Sequence, residues 1–351
     1  MKKSSLSVRI MALLLCAAML LPLSACGRTE PMYKQLFAMD TVMTLTAYGR
    51  SAQAGLDAAA GVITALDSAL DPETEGSNVY QLNNANGEDV ILSGQIADMM
   101  DTALDVCLST GGALDLSVYP IYLAWGGFKE DTGRIPTDDE LRELRSRLRF
   151  SETVITHFPG EASSSVRMPA GTEISFGAAA KGCAANCAVS AMRDAGVESG
   201  IVSLGGNVQT LGLKPDGSNW TVAVEDPNDT GSYLGTLSVG ETAIVTSGSY
   251  QRFFTDEEGN VYHHLINPVT GKPTNNGLLS VTIICNDGTL ADCLSTAMFV
   301  LGEKKALEYW QKHGGFDMII VTDDDRVICT SGLIEVFELT NTAKYTLTMT
   351  G

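Results

Sequence analysis

Apolar residues at Leu56, Ala59, Ile63, Leu66 and Leu70 recur at helical spacing and predict an amphipathic helix over 52–70. Ile96, Met99, Met100, Leu104 and Cys107 repeat the pattern and stop at Gly111-Gly112, a C-terminal signal. Thr137-Asp138-Asp139-Glu140 reads as a capping box that opens a charged surface helix. Residues 179–195 are mostly small and predict a helix suited to close packing, and 290–301 and 304–312 read as two more helices. Strand patterns fall at 41–48, 201–204, 220–224, 244–246, 261–266, 279–285 and 318–321, many near turn signals such as Asp216-Gly217 and Glu258-Gly259. Strands outnumber helices. The expected fold is α+β, a single large domain with a mostly antiparallel sheet and packed helices, or two subdomains in close contact. Residues 126–168 carry the weakest pattern and read as an excursion.

The first residues read as a targeting signal. Lys2, Lys3 and Arg9 precede an apolar run over 10–21 that is too short to span a bilayer. The run ends in Leu23-Ser24-Ala25-Cys26, the pattern of a bacterial lipobox, which makes Cys26 the expected lipidated N-terminus of the mature chain. The expectation is a signal at 1–25, a tether at 26–32, a catalytic domain from 33 to 351, and a protein anchored by lipid to the outer face of the cell membrane. Removing 1–25 takes away three positive charges and no negative one, so the formal net charge of −19 becomes −22. So acidic a chain is a poor partner for nucleic acid or for a polybasic type of membrane contact. Cys107, Cys183, Cys187, Cys285, Cys293 and Cys329 remain. An even number in an exported protein permits disulfides, but without a paired framework buried free thiols are the favoured reading.

Four short motifs could carry chemistry. Gly177-Ala178-Ala179-Ala180-Lys181-Gly182 leads into a helix, where small residues admit a ligand and the helix start favours an anion; a tightly packed helix start with a surface lysine explains it equally well. Gly205-Gly206-Asn207 after a buried strand fits either a close backbone approach or a tight turn. Asp292 and Thr296 share a helix face, and a carboxylate plus a hydroxyl suits Mg²⁺; the plain alternative is an acid near a helix start with Thr296 packed inside. His263-His264 ends a strand, so only one of the two can face a given site, and a histidine beside a phosphorylated ligand can act as a general base.

Taken in order, these motifs resemble the ApbE-type flavin transferases, that is, FAD:protein FMN transferases. The resemblance runs from about Met39 to Leu301. It rests on Met39-Asp40-Thr41, Gly112-Ala113-Leu114-Asp115 with Pro120 and Trp125-Gly126, the 177–182 motif, Leu204-Gly205-Gly206-Asn207, Trp220 with Asp226-Pro227, Thr246-Ser247-Gly248, 264–271, and Ala291-Asp292 to Thr296-Ala297. The resemblance implies Mg²⁺-dependent splitting of FAD, with transfer of FMN to a Thr or Ser hydroxyl of a partner protein and release of AMP. The implied acceptors are subunits of membrane redox pumps and flavin-carrying reductases. It implies metal ligands at the Ala178 carbonyl, the Asp292 carboxylate, the Ser295 carbonyl and the Thr296 hydroxyl. It implies flavin contacts at Met39, Ala113, Leu114, Asp115, Ser175, Lys181 and the Ile266 backbone, and a catalytic histidine at His264. The chain departs from the family pattern where Ser175 and Asn267 replace Asp, and where Cys183 and Asn186 replace Tyr and Asp. An FAD pyrophosphatase using water, and a flavin-binding protein without turnover, are the alternative readings of the same site.

Overall fold

The computed structural model describes residues 30–351. The expected signal, lipobox and Cys26 lie outside the described residues. Nine strands build the central sheet: β1 (Met32–Ala38), β2 (Thr41–Ala47), β3 (Gly200–Leu204), β4 (Asn207–Leu211), β5 (Ala243–Gly248), β6 (Leu278–Cys285), β7 (Asp317–Thr322), β8 (Arg326–Thr330) and β9 (Thr346–Thr350). Each pairs with the next in chain order, antiparallel throughout except for the parallel β8–β9 pair. The α+β expectation with a mostly antiparallel sheet therefore holds.

Alternation along these strands makes two apolar faces. One face, with Met43, Leu45, Val202, Leu204, Val245, Val281 and Ile283, packs against α1 (Ala52–Leu70), α3 (Ala180–Asp194) and α4 (Gly288–Leu301), and α2 (Gly94–Ser109) packs in turn on α4. The other face, with Ile244, Ile319, Val321 and Val327, is covered by a three-stranded sheet of Trp220–Asp226, Asp229–Val239 and Phe337–Leu339. A third, separate cluster holds Ile121, Trp125, Phe128, Leu141, Phe254 and Ile266. No described helix is long and apolar enough to cross a membrane.

Several local readings gain detail, and one needs correction. The stretch 261–266 is not one strand: Val261–His263 pairs with Phe253–Thr255, Ile266–Asn267 pairs with Lys272–Pro273, and His264 and Leu265 lie between them. The excursion at 126–168 is ordered. It contributes the helix Asp138–Arg145 and the strands Val154–His157 and Ser163–Arg167, whose alternation is too short and too polar to stand out in the sequence. The capping box is half formed: Thr137 Oγ1 accepts from Glu140 N at 3.2 Å, while the Glu140 carboxylate turns to Arg134. Met32, the last residue of the expected tether, already opens β1, a strand absent from the sequence reading.

Candidate active site

Two hairpin tips open the site. Met39 and Asp40 form a two-residue turn between β1 and β2, both with positive φ (49° and 59°). This left-handed pair costs about 1–2 kcal/mol per non-glycine residue, and Asp67 holds it by accepting from Met39 N at 2.8 Å. Gly205-Gly206 make the equivalent turn between β3 and β4. A Cβ on Gly205 would lie 2.5 Å from Thr41 Oγ1, so the double glycine serves both the tight turn and the close approach that its sequence allowed. The tips and the end of β5 line a cleft of about 1310 Å³ at one end of the central sheet.

The helical wall comes from α3 and α4. A Cβ on Gly182 would lie 2.0 Å from the Gly288 carbonyl, and a Cβ on Gly288 would lie 2.8 Å from the Gly182 carbonyl. Reciprocal glycines thus let the two helices touch backbone to backbone, which brings Asp292 to the start of α3. Asp292 is 4 % exposed, and its Oδ2 accepts from Gly182 N at 2.9 Å. Its Oδ1 accepts no hydrogen bond from the described residues. Ser295 Oγ donates to the Asp292 carbonyl at 2.9 Å and lies 2.7 Å from Ser247 Oγ, which in turn lies 3.2 Å from Thr296 Oγ1. The Asp292 carboxylate, the Thr296 hydroxyl and the Ala178 segment line the cleft, and all offer hard oxygen atoms. That donor set fits Mg²⁺, which prefers oxygen ligands. Ser295 is fully buried beneath this wall and does not line the cleft. Ser247, to which the sequence assigned no role, ties its hydroxyl to Thr296.

The opposite wall carries the histidines. His263 is held by backbone on both ring nitrogens: Nε2 lies 2.9 Å from the Thr274 carbonyl, and Nδ1 accepts from Leu265 N at 3.3 Å. Its ring also meets Phe299 edge-on, 5.7 Å between centroids. His264 lines the cleft. Its Nδ1 lies 3.2 Å from the Arg252 carbonyl, and since a carbonyl only accepts, Nδ1 carries the proton. The tautomer leaves Nε2 with a lone pair. Part of the ring stays open to the cleft, while protein packed around the remainder, aided by the charge of Arg252, lowers its pKa to about 3. His264 is therefore neutral and basic in form at neutral pH. The sequence contrast between the two histidines survives, but backbone contacts, not strand alternation, create it.

This wall rests on the third apolar cluster. Trp125 stacks on Phe128, with centroids 5.7 Å apart, and donates from Nε1 to the Gly271 carbonyl at 2.8 Å. Gly126 has φ 72°, and a Cβ there would lie 1.8 Å from the Thr132 carbonyl, so the loop closing this side accepts only glycine. Met39, Ala113, Leu114, Asp115, Ser175, Lys181 and Ile266 all line the cleft. Burial pushes the Asp115 carboxyl up, against the lowering effect of hydrogen bonds from Ser117 N (2.8 Å) and Oγ (2.5 Å). Tyr250 and Arg252 also line the cleft and were not singled out as site residues in the sequence. Burial, then Glu225 and Asp226, push the Tyr250 hydroxyl well up.

Two of the departures from the family pattern, Asn267 and Asn186, have local explanations. Asn267 Oδ1 accepts from Val269 N at 2.9 Å in the turn, a role that a side-chain amide oxygen fills as well as a carboxylate. Asn186 accepts from Gly288 N at 2.8 Å and donates to Asp287 Oδ1 at 2.9 Å. An aspartate there could not donate to Asp287. Ser175 sits half-buried in the cleft. The six described cysteines are free thiols, five buried and Cys187 half-buried. Asp98, Asp101 and His157 form a surface group of possible metal ligands outside the cleft.

A family model described as the ApbE family matches residues 39–320. The chain is 30 % identical to an FAD:protein FMN transferase of Treponema pallidum (strain Nichols), across 95 % of this chain and 96 % of that protein. It is 29 % identical to the FAD:protein FMN transferase of Vibrio cholerae, across 75 % and 80 %. Among solved structures, the ApbE protein of Thermotoga maritima superposes with a TM-score of 0.76 at 25 % identity, covering 90 % of this chain and 98 % of that one. The flavin transferase ApbE from Vibrio cholerae shares the fold, with a TM-score of 0.73 at 23 % identity over 89 % and 96 %. The residues that line the cleft lie within a chain that belongs to the ApbE family.

Proposed function

We propose that this cleft transfers FMN from FAD to a Ser or Thr hydroxyl of a partner protein and releases AMP. The carrying observation is that one cleft is lined both by a neutral histidine with a free Nε2 and by an oxygen-rich helical wall, in a chain of this family. The acceptor O–H loses its proton to His264 Nε2. Its oxygen bonds the FMN-side phosphorus as the bond from that phosphorus to the AMP oxygen breaks. Such a displacement needs positioning and charge neutralisation more than covalent help. Lys181 supplies one positive charge at the start of α3. The Asp292 carboxylate, the Thr296 hydroxyl and the Ala178 carbonyl would hold Mg²⁺, which when bound neutralises charge on the pyrophosphate, while Ser295, buried beneath them, braces the wall. Met39, Ala113, Leu114, Asp115, Ser175 and Ile266 orient the flavin end. The acceptor is a redox-pump subunit or an FMN-carrying reductase.

Co-expression with an acceptor domain of a membrane redox pump, followed by mass spectrometry, tests the reading. Transfer adds one FMN to that domain and yields one AMP. AMP without protein-bound FMN would indicate water as the acceptor. FAD binding without AMP would reduce the protein to a flavin carrier.

We also propose that the mature chain starts at Cys26 and is lipid-anchored outside the cytoplasm, as the lipobox implies. Cys26→Ser should move the protein from the membrane fraction to the soluble exported fraction; retention in the membrane fraction would refute the anchor.

A further inference from the structure

We propose that the open edge of β1 receives an extended segment of the acceptor protein as an added strand, which leads the acceptor hydroxyl into the cleft; this rests on the transfer reaction proposed above. Among the described residues, β1 is the outermost strand of the nine-stranded sheet. Its two-residue turn makes Ala38 and Thr41 the closing hydrogen-bonded pair, and pairs then alternate. Tyr33, Gln35 and Phe37 therefore turn their backbone N–H and C=O groups outward, away from β2.

Sheet edges are normally guarded by lysine, proline or a bulge. Here the β1–β2 register is unbroken over all seven pairs, and Pro31 precedes the first of them. The one lysine, Lys34, is drawn to Asp57 of α1 at 2.5 Å. The outer face is also apolar: Phe37 is 71 % exposed, Tyr33 65 % and Val42, opposite Phe37, 62 %.

Position selects the occupant. Phe37 lines the cleft together with Ala38, Met39, Asp40 and Thr41, so the apolar edge is continuous with the mouth of the site. The second substrate is a protein hydroxyl, which must enter by that mouth. A peptide pairing along β1 gains main-chain hydrogen bonds from the edge and places alternate side chains on Tyr33 and Phe37. At about 3.3 Å per residue, five residues of such a strand span the distance from Tyr33 to the cleft.

The test uses Gln35→Pro and Tyr33→Glu in the full-length protein, with the redox-pump acceptor domain as probe and covalent FMN fluorescence as readout. A proline is tolerated where the N–H faces away from the neighbouring strand. Losing about 1.4 kcal/mol of edge hydrogen bonding or apolar contact raises the KM for the acceptor about tenfold. FAD affinity, AMP release in the absence of acceptor, and the melting temperature should stay at wild-type values. An unchanged acceptor KM in both variants overturns the proposal. So does a wild-type dimer that Tyr33→Glu dissociates with the acceptor KM unchanged, because the edge then belongs to a second copy. If the wild-type protein never modifies the acceptor, the transfer reading itself fails, and the edge proposal fails with it.

Discussion

The two walls of the cleft are built on different foundations. The helical wall is part of the main core: α3 and α4 meet through Gly182 and Gly288, and the residues around Asp292 are almost wholly buried. The histidine wall stands on a small separate cluster around Trp125 and Phe254, joined to the rest by loops and two-residue strands. The first wall places Asp292, Thr296 and Lys181, the proposed metal ligands and positive charge, through rigid helix packing. The second presents His264, the proposed base, on irregular backbone, where the tautomer depends on one carbonyl, that of Arg252. Damage to the first should therefore cost fold and metal together, and damage to the second should cost catalysis or local order.

Gly182→Ala is the most severe way to break the first wall. The added methyl meets backbone at 2.0 Å and the Asp292 side chain at 2.8 Å, so overpacking should destabilise the protein by about 3 kcal/mol or more. Urea unfolding measures it, and a loss under 1 kcal/mol would mean that the helices can part freely. Asp292→Ala leaves the Gly182–Gly288 contact in place but strips Gly182 N of its acceptor, and it should remove any gain in melting temperature from Mg²⁺, together with turnover. A variant still stabilised by Mg²⁺ would place the ion elsewhere.

On the second wall, His264→Ala should lower transfer by roughly 10²–10⁴-fold, the usual worth of a general base, while FAD still binds. His263→Ala should do the reverse, costing about 1–2 kcal/mol of stability through its lost backbone bonds and leaving kcat near wild type. Finding the two swapped would reassign the base.

Protonation sharpens the same contrast. In the folded chain His264 titrates near pH 3, against 6.5 in the unfolded chain. Above 6.5 both states are neutral and stability is fully present. As pH falls from 6.5 towards 3, only the unfolded chain gains the proton, so native stability declines. Urea unfolding at pH 7 and 4.5 should show a smaller acid loss in His264→Ala than in the wild type. The pH–rate profile should show no acid limb near 6.5 from this residue. A limb there that disappears in the variant would mean that the ring titrates as if exposed.

Ser175→Asp is the mildest change, since Ser175 is half-buried on the cleft surface. A restored carboxylate should tighten FAD severalfold at most, read by fluorescence quenching, because a hydrogen bond to a charged group contributes about 1.5–3 kcal/mol only where water is excluded. No change in affinity would show that the serine is no handicap.

The chain by itself determined the elements whose signal is local. Helical spacing over 52–70 and strand alternation over 279–285 are periodic enough to survive any packing. The small-residue run before 182 announces a close approach whatever its partner. Asp292 and Thr296 share a face because they are four residues apart on a helix. The family resemblance then placed Met39, Ala113–Asp115, Lys181 and His264, residues far apart in the chain, in one site. Tertiary structure decided what depends on partners distant in sequence. Met39 and Asp40 hold a strained turn only because Asp67 accepts from Met39 N. His263 and His264 differ because Thr274 takes one and Arg252 the other. Asn186 is the right residue only because Asp287 faces it. Gly126 and Ser247 were legible only as members of family motifs, without a stated role, since the clash that one avoids and the hydroxyl that the other positions belong to residues the fold brings beside them. Periodicity records how a segment meets the core; it does not record which two segments meet.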